Sequence, residues 1–370
     1  MTGTLAVLVL ISGFFSLLSI IAARRYLAVR LPVLRAAAQI SILKPLSGLD
    51  RDLESNLRTF FEQEYPCFEI LFAVRYKSDP ALAVVEKLRG EYPHVASRVL
   101  ITGEPPYANG KVYKLDRMLA AAANDLIVMS DSDTRVTPDM LRTIAAEFQD
   151  LRVGLATCPY RAIPGPGVWS KLEATGLNTD FMAGILVARM LEGMRFAVGP
   201  TIVARRDVLA SIGGFDRLKD YLAEDFVMGK FASAAGHGVI LSSYVIEHHV
   251  GAPRVLQNLL HRLRWLRSTR RSRPAGYIGQ LFTMTTPLAL MLLLVAWPYW
   301  PIAVAAMFLR AVAAYVASAR VLHTRISWVL LPFEDLLAFS FWIAGFFGST
   351  IVWRGARYQV HPDGRFAPLK

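Results

Sequence analysis

The first residues of the sequence form an uninterrupted apolar run. Residues 3–22 read GTLAVLVLISGFFSLLSIIA and carry no charge. A helix of this length rises about 30 Å, the thickness of the hydrocarbon core of a bilayer. A secretory signal peptide is usually shorter, with basic residues before it and a small-residue cleavage site after it. We therefore predict an uncleaved transmembrane anchor over residues 1–25.

The charges that flank this run predict its orientation. Arg24, Arg25, Arg30 and Arg35 follow it, and no acid occurs before Asp50. By the positive-inside rule the N-terminus lies outside and the next segment begins in the cytoplasm. The chain has only two cysteines, which argues against a disulfide scaffold or a zinc module and fits a reducing compartment.

Between residues 39 and 250 the pattern changes to short apolar segments that alternate with helical spacing. The strand candidates are 39–43, 68–74, 98–102, 125–130, 153–158 and 238–245, and the helix candidates are 50–62, 80–90, 111–123 and 138–149. Such alternation is typical of an α/β domain with a largely parallel sheet. Ligands of these sheets bind beyond the carboxyl ends of the strands.

A basic segment and a second apolar zone follow this domain. The predicted parts are a basic amphipathic interfacial segment over 251–280, transmembrane helices over 281–353 with crossings at 281–298, 302–319 and 336–352, and a basic tail over 354–370. Leucines interleave the arginines from Arg254 to Arg273, which favours anionic lipid headgroups over nucleic acid as the partner. Three crossings place the tail outside, whereas its basic charge favours the inside, so the side of the tail stays open.

Two carboxylates, Asp131 and Asp133, follow the strand candidate 125–130 in the stretch VMSDSDTRV. One interpretation is an ordinary strand-to-helix turn, with Asp133 or Thr137 capping a helix that starts near Pro138. The other is a site for a hard divalent cation, Mg²⁺ or Mn²⁺, whose remaining ligands are water and a diphosphate.

Further motifs favour the second interpretation. Asp79 follows another strand candidate, Glu224 and Asp225 open a helix, and Arg264-Trp265 lies in the basic segment. This series resembles the D, DxD, ED, (Q/R)xxRW motifs of membrane-attached family-2-like glycosyltransferases. The stretches LKPLSGLD, FFEQEYPCFEILFAV, NGK, AEDFVMGK and WRGARY are more specific and are similar to the ceramide glucosyltransferase family (family 21), including its bacterial branch associated with hopanoid lipids.

The resemblance implies a GT-A fold and an inverting transfer from a UDP-sugar to a membrane-lipid hydroxyl at a bacterial inner membrane, with the catalytic domain facing the cytoplasm. It implies Asp225 as general base beside Glu224, and Asp131 and Asp133 as metal ligands. The donor-binding residues it implies are Lys44, Asp79, Asn109, Lys111, His261, Arg264 and Trp265. His261 departs from the Gln or Arg of the family motif, and Tyr113-Lys114 replaces an Asn pair.

Two expectations concern the electrostatics of the site. The N-terminus of the helix at Glu224 is expected to lower the pKa of Asp225 and to keep it ionised. His248 and His249 are adjacent on a strand and point to opposite faces, so we do not expect both to bind one ion. A structural or substrate-adjacent role is favoured for them.

The leading hypothesis is a UDP-sugar-dependent hexosyltransferase of glycolipid biosynthesis. Its acceptor is a hopanoid polyol with UDP-GlcNAc, which we favour, or ceramide with UDP-glucose. One alternative is a processive membrane polysaccharide synthase, which needs more crossings and normally a Gln at position 261. Another is a non-catalytic membrane protein whose basic helix recruits anionic partners.

Overall fold

The computed structural model describes residues 2–251, 255–353 and 356–369. Arg254, the middle of the WRGARY motif and the ends of the predicted tail therefore lie outside the described residues. The helices are α1 Thr2–Leu27, α2 Leu53–Phe61, α3 Ala81–Glu91, α4 Gly110–Ala121, α5 Met140–Glu147, α6 Val168–Gly176, α7 Met182–Glu192, α8 Arg206–Ser211, α9 Glu224–Ala234, α10 Val255–Ser272, α11 Pro274–Gly279, α12 Thr285–Val295, α13 Trp300–Tyr315 and α14 Leu330–Gly345. Leu177–Phe181 and Val316–Val321 are π-helical, and Phe215–Leu218, Gln280–Thr283 and Trp297–Tyr299 are 3₁₀ turns.

The strands form three sheets. They are β1 Ile40–Pro45, β2 Phe68–Val74, β3 Ser97–Ile101, β4 Leu126–Ser130, β5 Thr134–Arg135, β6 Val153–Thr157, β7 Tyr160–Pro164, β8 Thr201–Arg205, β9 Gly238–Leu241, β10 Ile246–Val250, β11 Thr350–Trp353, β12 Ala356–Val360 and β13 Phe366–Pro368. The largest sheet has the order β3-β2-β1-β4-β8-β6-β9, and β8 is antiparallel to both of its neighbours. The predicted α/β fold with a largely parallel sheet is therefore confirmed.

The central strands are apolar on both faces because helices cover both sides of the sheet. All six residues of β1 are buried. Its alternate side chains enter two different cores: Ile40 and Ile42 pack in one, and Leu43 packs in the other. A strand buried on both faces gives a continuous apolar run in the sequence, which is why these strands could be predicted.

The part of the domain between residues 159 and 250 departs more from the prediction. The strand expected over 238–245 ends at Leu241, and the chain then forms the separate strand β10. This strand pairs with β7 and β5 in a small second sheet. The strand β8 and the helices α6 and α7 were not predicted.

Two described helical segments are long and apolar enough to cross a membrane, Thr2–Leu27 and Trp297–Val321. A third crossing is formed if the bent pair Pro274–Thr283 and Thr285–Val295, which meet at 59°, is one span. The crossing expected over 336–352 is not among the candidate spans of the described residues: the helix there is α14, which has 16 residues and holds Glu334 and Asp335 in buried ion pairs. Gly348, with a φ of 75°, follows the helix, and β11 begins at Thr350.

The predicted basic segment is the helix α10, and much of its charge is bound within the protein. Arg262 pairs with Glu334 at 2.7 Å, and Arg267 donates to the carbonyl of Thr350 at 2.5 Å. Arg270 donates to the carbonyl of Gly348 at 2.8 Å. The interfacial role of this helix stays a prediction. The tail folds into the sheet β11–β12–β13.

Candidate active site

The two carboxylates of the VMSDSDTRV stretch lie at the end of a buried central strand. All five residues of β4 are buried, and Asp131, Ser132 and Asp133 form the turn that follows. This turn leads into the short strand β5, and the helix α5 begins only at Met140. The interpretation of the pair as a strand-to-helix cap is therefore wrong.

Lys111 bridges two acidic segments at the carboxyl end of β4. Its ammonium lies 2.8 Å from Oδ1 of Asp131 and 3.1 Å from Oε1 of Glu224. Burial acts to lower the pKa of Lys111, but the surrounding carboxylates raise it well above its ordinary value. The site therefore holds a permanent cation between the strand-end carboxylate and the start of α9.

Asp225 is held by the backbone of a neighbouring loop. Its carboxylate accepts hydrogen bonds from the amide of Gly199 at 2.7 Å and from its own helix at Phe226, at 2.8 Å. Burial and the adjacent Glu224 raise the pKa of Asp225 to about 6. The expectation of a lowered pKa is wrong, because burial and a like charge outweigh the effect of the helix N-terminus.

Asp133 contacts a histidine from the second sheet. Nε2 of His248 lies 3.2 Å from Oδ2 of Asp133, and Oδ1 of Asp133 is buried without a hydrogen-bond partner. Burial acts to raise the pKa of Asp133, but His248 and two lysines together lower it to about 2. His249 instead lies 3.4 Å from Glu247, so the two histidines do not share a partner.

The carboxylates of Asp131 and Asp133 fit a hard divalent cation. They supply oxygen ligands, and the buried Oδ1 of Asp133 has no partner within the protein. Among the described residues no group of three or more His, Cys, Asp or Glu side chains is arranged to hold a metal by itself. A cation here would therefore take its remaining ligands from water and from a bound diphosphate.

Two predicted donor-binding residues, Lys44 and Asn109, are fully buried and hold the loops that carry the acidic residues. Lys44 donates to the carbonyl of Asp131 at 2.5 Å and to the hydroxyl of Thr134 at 3.1 Å. Asn109 caps α4 by accepting from the amide of Val112 at 3.2 Å. Burial lowers the pKa of Lys44 to about 7. These two side chains hold the loops of the site, and their predicted contact with a donor stays a prediction.

Asp79 closes a neighbouring loop. Its carboxylate accepts hydrogen bonds from the amides of Gly48 and Ala81, both at 3.0 Å. The first contact joins the end of β2 to the LKPLSGLD stretch, and the second caps α3. Asp79 is half-buried, so part of its side chain stays accessible beside the rim.

The His261–Trp265 motif on α10 packs against α6 and Phe181 of the catalytic domain. Nδ1 of His261 is 3.0 Å from Glu173 of α6, and the rings of His261 and Trp265 are 4.9 Å apart. Trp265 also packs near Phe181, at 6.4 Å. The guanidinium of Arg264 lies 6.0 Å from the ring of Trp353 in β11. His261 therefore has a protein partner in Glu173, which the sequence did not predict.

Two features of the site were missed because they depend on distant parts of the chain. Gly199, which holds Asp225, lies in a loop without a recognisable pattern. Gly229 lets α9 approach the backbone of Phe196 and Ala197, where a Cβ atom would collide. The glycine in the AEDFVMGK stretch is the one local feature of the sequence that indicates this close approach.

Comparisons with known proteins identify the family of this chain. Residues 4–366 match the family described as Glycosyl transferase family 21. The chain belongs to this family. The resemblance seen in the sequence motifs is therefore confirmed.

Two curated relatives of this family 21 chain are ceramide glucosyltransferases. Ceramide glucosyltransferase 1 of Caenorhabditis elegans is 27% identical over 230 residues, which are 62% of this chain and 49% of the relative. The ceramide glucosyltransferase of Komagataella phaffii is 31% identical over 184 residues, 46% of this chain and 35% of the relative. The chain thus spans about half or less of the length of these relatives.

A solved structure shows the same fold. The mannosyltransferase PcManGT of Pyrobaculum calidifontis, in complex with GDP-Man and Mn²⁺, superposes with a TM-score of 0.57 at 18% identity. The match covers 94% of this chain and 98% of that protein. The family 21 chain therefore has the GT-A fold that its motifs implied.

Proposed function

We propose that this protein transfers a sugar from a UDP-sugar to the hydroxyl of a membrane lipid, with inversion at the anomeric carbon. The observation that carries the proposal is the position of Asp225, a half-buried carboxylate held by Gly199 next to the Lys111 cation. With its pKa raised to about 6, Asp225 is ionised at neutral pH and still basic enough to accept a proton.

The direct displacement needs a base on one side of the sugar and cations on the other. Asp225 takes the proton of the acceptor hydroxyl while its oxygen attacks the anomeric carbon. Lys111 and Arg264 are the cations that bind the departing UDP diphosphate. A divalent cation held by Asp131 and Asp133 would add Lewis-acid stabilisation of that leaving group. No covalent enzyme nucleophile is required.

The acceptor proposed is a lipid because apolar helices adjoin the catalytic domain. The anchor α1 contacts α7, α12 and α13, and Tyr26 at its end donates to the carbonyl of Ser242 at 2.6 Å. An acceptor headgroup at the bilayer surface would thus reach the site without leaving the membrane. Ceramide, suggested by the relatives, and a hopanoid polyol are both hydroxyl-bearing lipids of this kind.

The test is a transfer assay with membranes that contain the full chain. Labelled UDP-glucose and UDP-GlcNAc are each offered with ceramide and with a hopanoid polyol, and membranes without the chain are the control. We expect label in a lipid that extracts into organic solvent, and mass spectrometry then identifies sugar and lipid. Label that stays in a polymer would favour the processive synthase instead.

Calorimetry with purified protein separates an enzyme from a scaffold. We expect UDP to bind in the presence of Mn²⁺ and binding to weaken when Asp131 and Asp133 are both replaced by Asn. Absence of Mn²⁺-dependent UDP binding in the folded wild-type protein would contradict the proposed donor.

A further inference from the structure

The C-terminal sheet β11–β13 is seated on the loop that leads into the catalytic helix α9. The amide of Phe366 donates to the carbonyl of Asp220 at 2.9 Å. Tyr221 and Arg365 form an antiparallel bridge, and the Arg365 guanidinium lies 5.6 Å from the Tyr221 ring. Leu222 is buried in the apolar cluster of this sheet. The sheet therefore contacts three consecutive residues, 220–222, immediately before α9.

The apolar cluster gives the sheet a fixed shape. Its buried members are Leu222, Ile351, Val360 and Phe366. The ring of Phe366 lies 5.7 Å from Trp353 and 5.2 Å from Tyr358. Phe366 contacts the rings of both other strands and shares the buried cluster with Leu222, so it links the sheet to the loop.

The same sheet contacts two other segments of the active site. Ala108, which precedes the loop of Asn109 and Lys111, packs against the cluster. On the opposite side Trp353 lies next to Arg264 of α10. The side chain of Asn109 also donates to the carbonyl of Tyr221 at 3.0 Å. The sheet thus connects the three segments that carry the lysine, the base and the arginine.

The contacts of loop 220–222 reach the base through two intervening residues, Ala223 and Glu224. Asp225 lies three residues after Leu222, and Glu224 between them is bound to Lys111. A shift of the loop therefore moves Asp225 relative to Gly199. Misplacement of a catalytic group by about 1 Å can cost about 100-fold in rate.

We propose that the C-terminal sheet is a fixed clamp that positions Asp225, with Phe366 and Arg365 as positioning residues. The clamp rests on the proposed function, because it requires Asp225 to act as the base. The sheet keeps its position during turnover, and because Phe366 and Arg365 contact loop 220–222, their removal affects the chemical step more than donor binding.

The experiment compares substitutions at the clamp with one beside it. Phe366→Ala removes the side chain that joins sheet and loop, Phe366→Leu restores most of its volume, and Arg365→Ala removes the contact with Tyr221. Leu369→Ala is the matched control, because Leu369 follows the same strand and is exposed. The readouts are kcat, UDP binding by calorimetry and amide hydrogen exchange of residues 218–228.

We expect Phe366→Ala to lower kcat about tenfold or more, since the base loses its position. UDP binding should change less than about threefold, Phe366→Leu should recover most of the rate, and Leu369→Ala should match wild type. Exchange in 218–228 should be faster in Phe366→Ala and in Arg365→Ala.

Wild-type kcat in folded Phe366→Ala, or equal losses of kcat and of UDP binding, would overturn the clamp. If Phe366→Ala does not fold, Arg365→Ala decides, because Arg365 is more than half exposed. Unchanged exchange in that variant would overturn the proposal. A wild-type protein without transfer activity would refute the proposed function, while the exchange measurement would still test the clamp.

Discussion

At the scale of single residues, the site is a set of charges whose protonation is set by burial and by neighbours. Asp131 and Asp133 illustrate this: burial and neighbouring acids raise the pKa of Asp131, whereas His248 and nearby lysines lower that of Asp133. Two carboxylates in one tripeptide thus have different proton affinities. The sequence predicted their position at a strand end, but not the histidine, which comes from a strand 115 residues away.

The raised pKa of Asp225 predicts an acid limb in the pH profile. A base with a pKa of about 6 is protonated at lower pH, so kcat/KM should fall about tenfold per pH unit below that value. The measurement is kcat/KM of lipid transfer between pH 5 and pH 8.

Glu224→Gln is the informative variant for this profile. Removal of the adjacent negative charge should lower the pKa of Asp225 and move the acid limb to lower pH. An acid limb that stays in place in Glu224→Gln, or its absence in wild type, would contradict the assignment of the base.

Gly229 is predicted to be intolerant of any side chain. A Cβ atom at this position would collide with the backbone of Phe196 and Ala197, next to the loop that holds Asp225. Gly229→Ala should therefore cost about 1–3 kcal/mol in stability and lower the rate. Gly184 of α7, where an added Cβ would meet nothing within 4 Å, gives the control substitution. Equal unfolding temperatures of the two variants would contradict the close approach.

At the scale of elements, the helix α10 is joined to α14 by a buried ion pair and to α6 by hydrogen bonds. Arg262 lies 2.7 Å from Glu334 of α14, and both side chains are almost fully buried. Asn258 and His261 of α10 both bind Glu173 of α6. The basic amphipathic pattern predicted a helix here, but charge patterns alone could not show that acids of α6 and α14 bind its polar side chains.

A double-mutant cycle tests the Arg262–Glu334 pair. Either Arg262→Met or Glu334→Gln leaves a buried partner uncompensated and should cost about 3–5 kcal/mol. The double variant should be more stable than the sum of the two losses predicts. The measurement is thermal unfolding in detergent, and additive losses would show that the pair does not form.

At the scale of the whole molecule, the C-terminal sheet packs directly against the catalytic domain. Because the sheet β11–β13 contacts loop 220–222 directly, we expect an even number of membrane crossings between the two. The sequence left this open because hydropathy alone gave three crossings. The last apolar run forms the helix α14, which has only 16 residues.

Cysteine labelling tests this arrangement. Cys67 is exposed on the catalytic domain, and Asp363 in the tail has a side chain that is 57% exposed. An impermeant maleimide is applied to wild type and to Cys67→Ser/Asp363→Cys. We expect it to label both proteins only after the cells are opened. Labelling of the two positions from opposite sides of the membrane would contradict the fold.

The sequence predicted the elements that have local signals and missed those that depend on long-range contacts. The strand Phe68–Val74 was predicted to the residue because it is an apolar run between polar turns. The strand β7 was missed, since it has polar residues and pairs with β10, which lies far along the chain. The three segments joined by the C-terminal sheet lie 89 or more residues from the residues that contact them, so no local pattern shows those contacts.

The central claim, that Asp225 is the base of a lipid glycosyltransferase, is tested most directly by Asp225→Asn in the labelled transfer assay. Because the pKa of Asp225 is raised to about 6, its contribution to stability is greatest below its unfolded pKa and is lost as the pH rises through 6. The variant should therefore be folded and at least as stable as wild type at neutral pH, with Mn²⁺-dependent UDP binding retained. We predict that its transfer to lipid falls by about 100-fold or more. Wild-type transfer by folded Asp225→Asn would contradict the account.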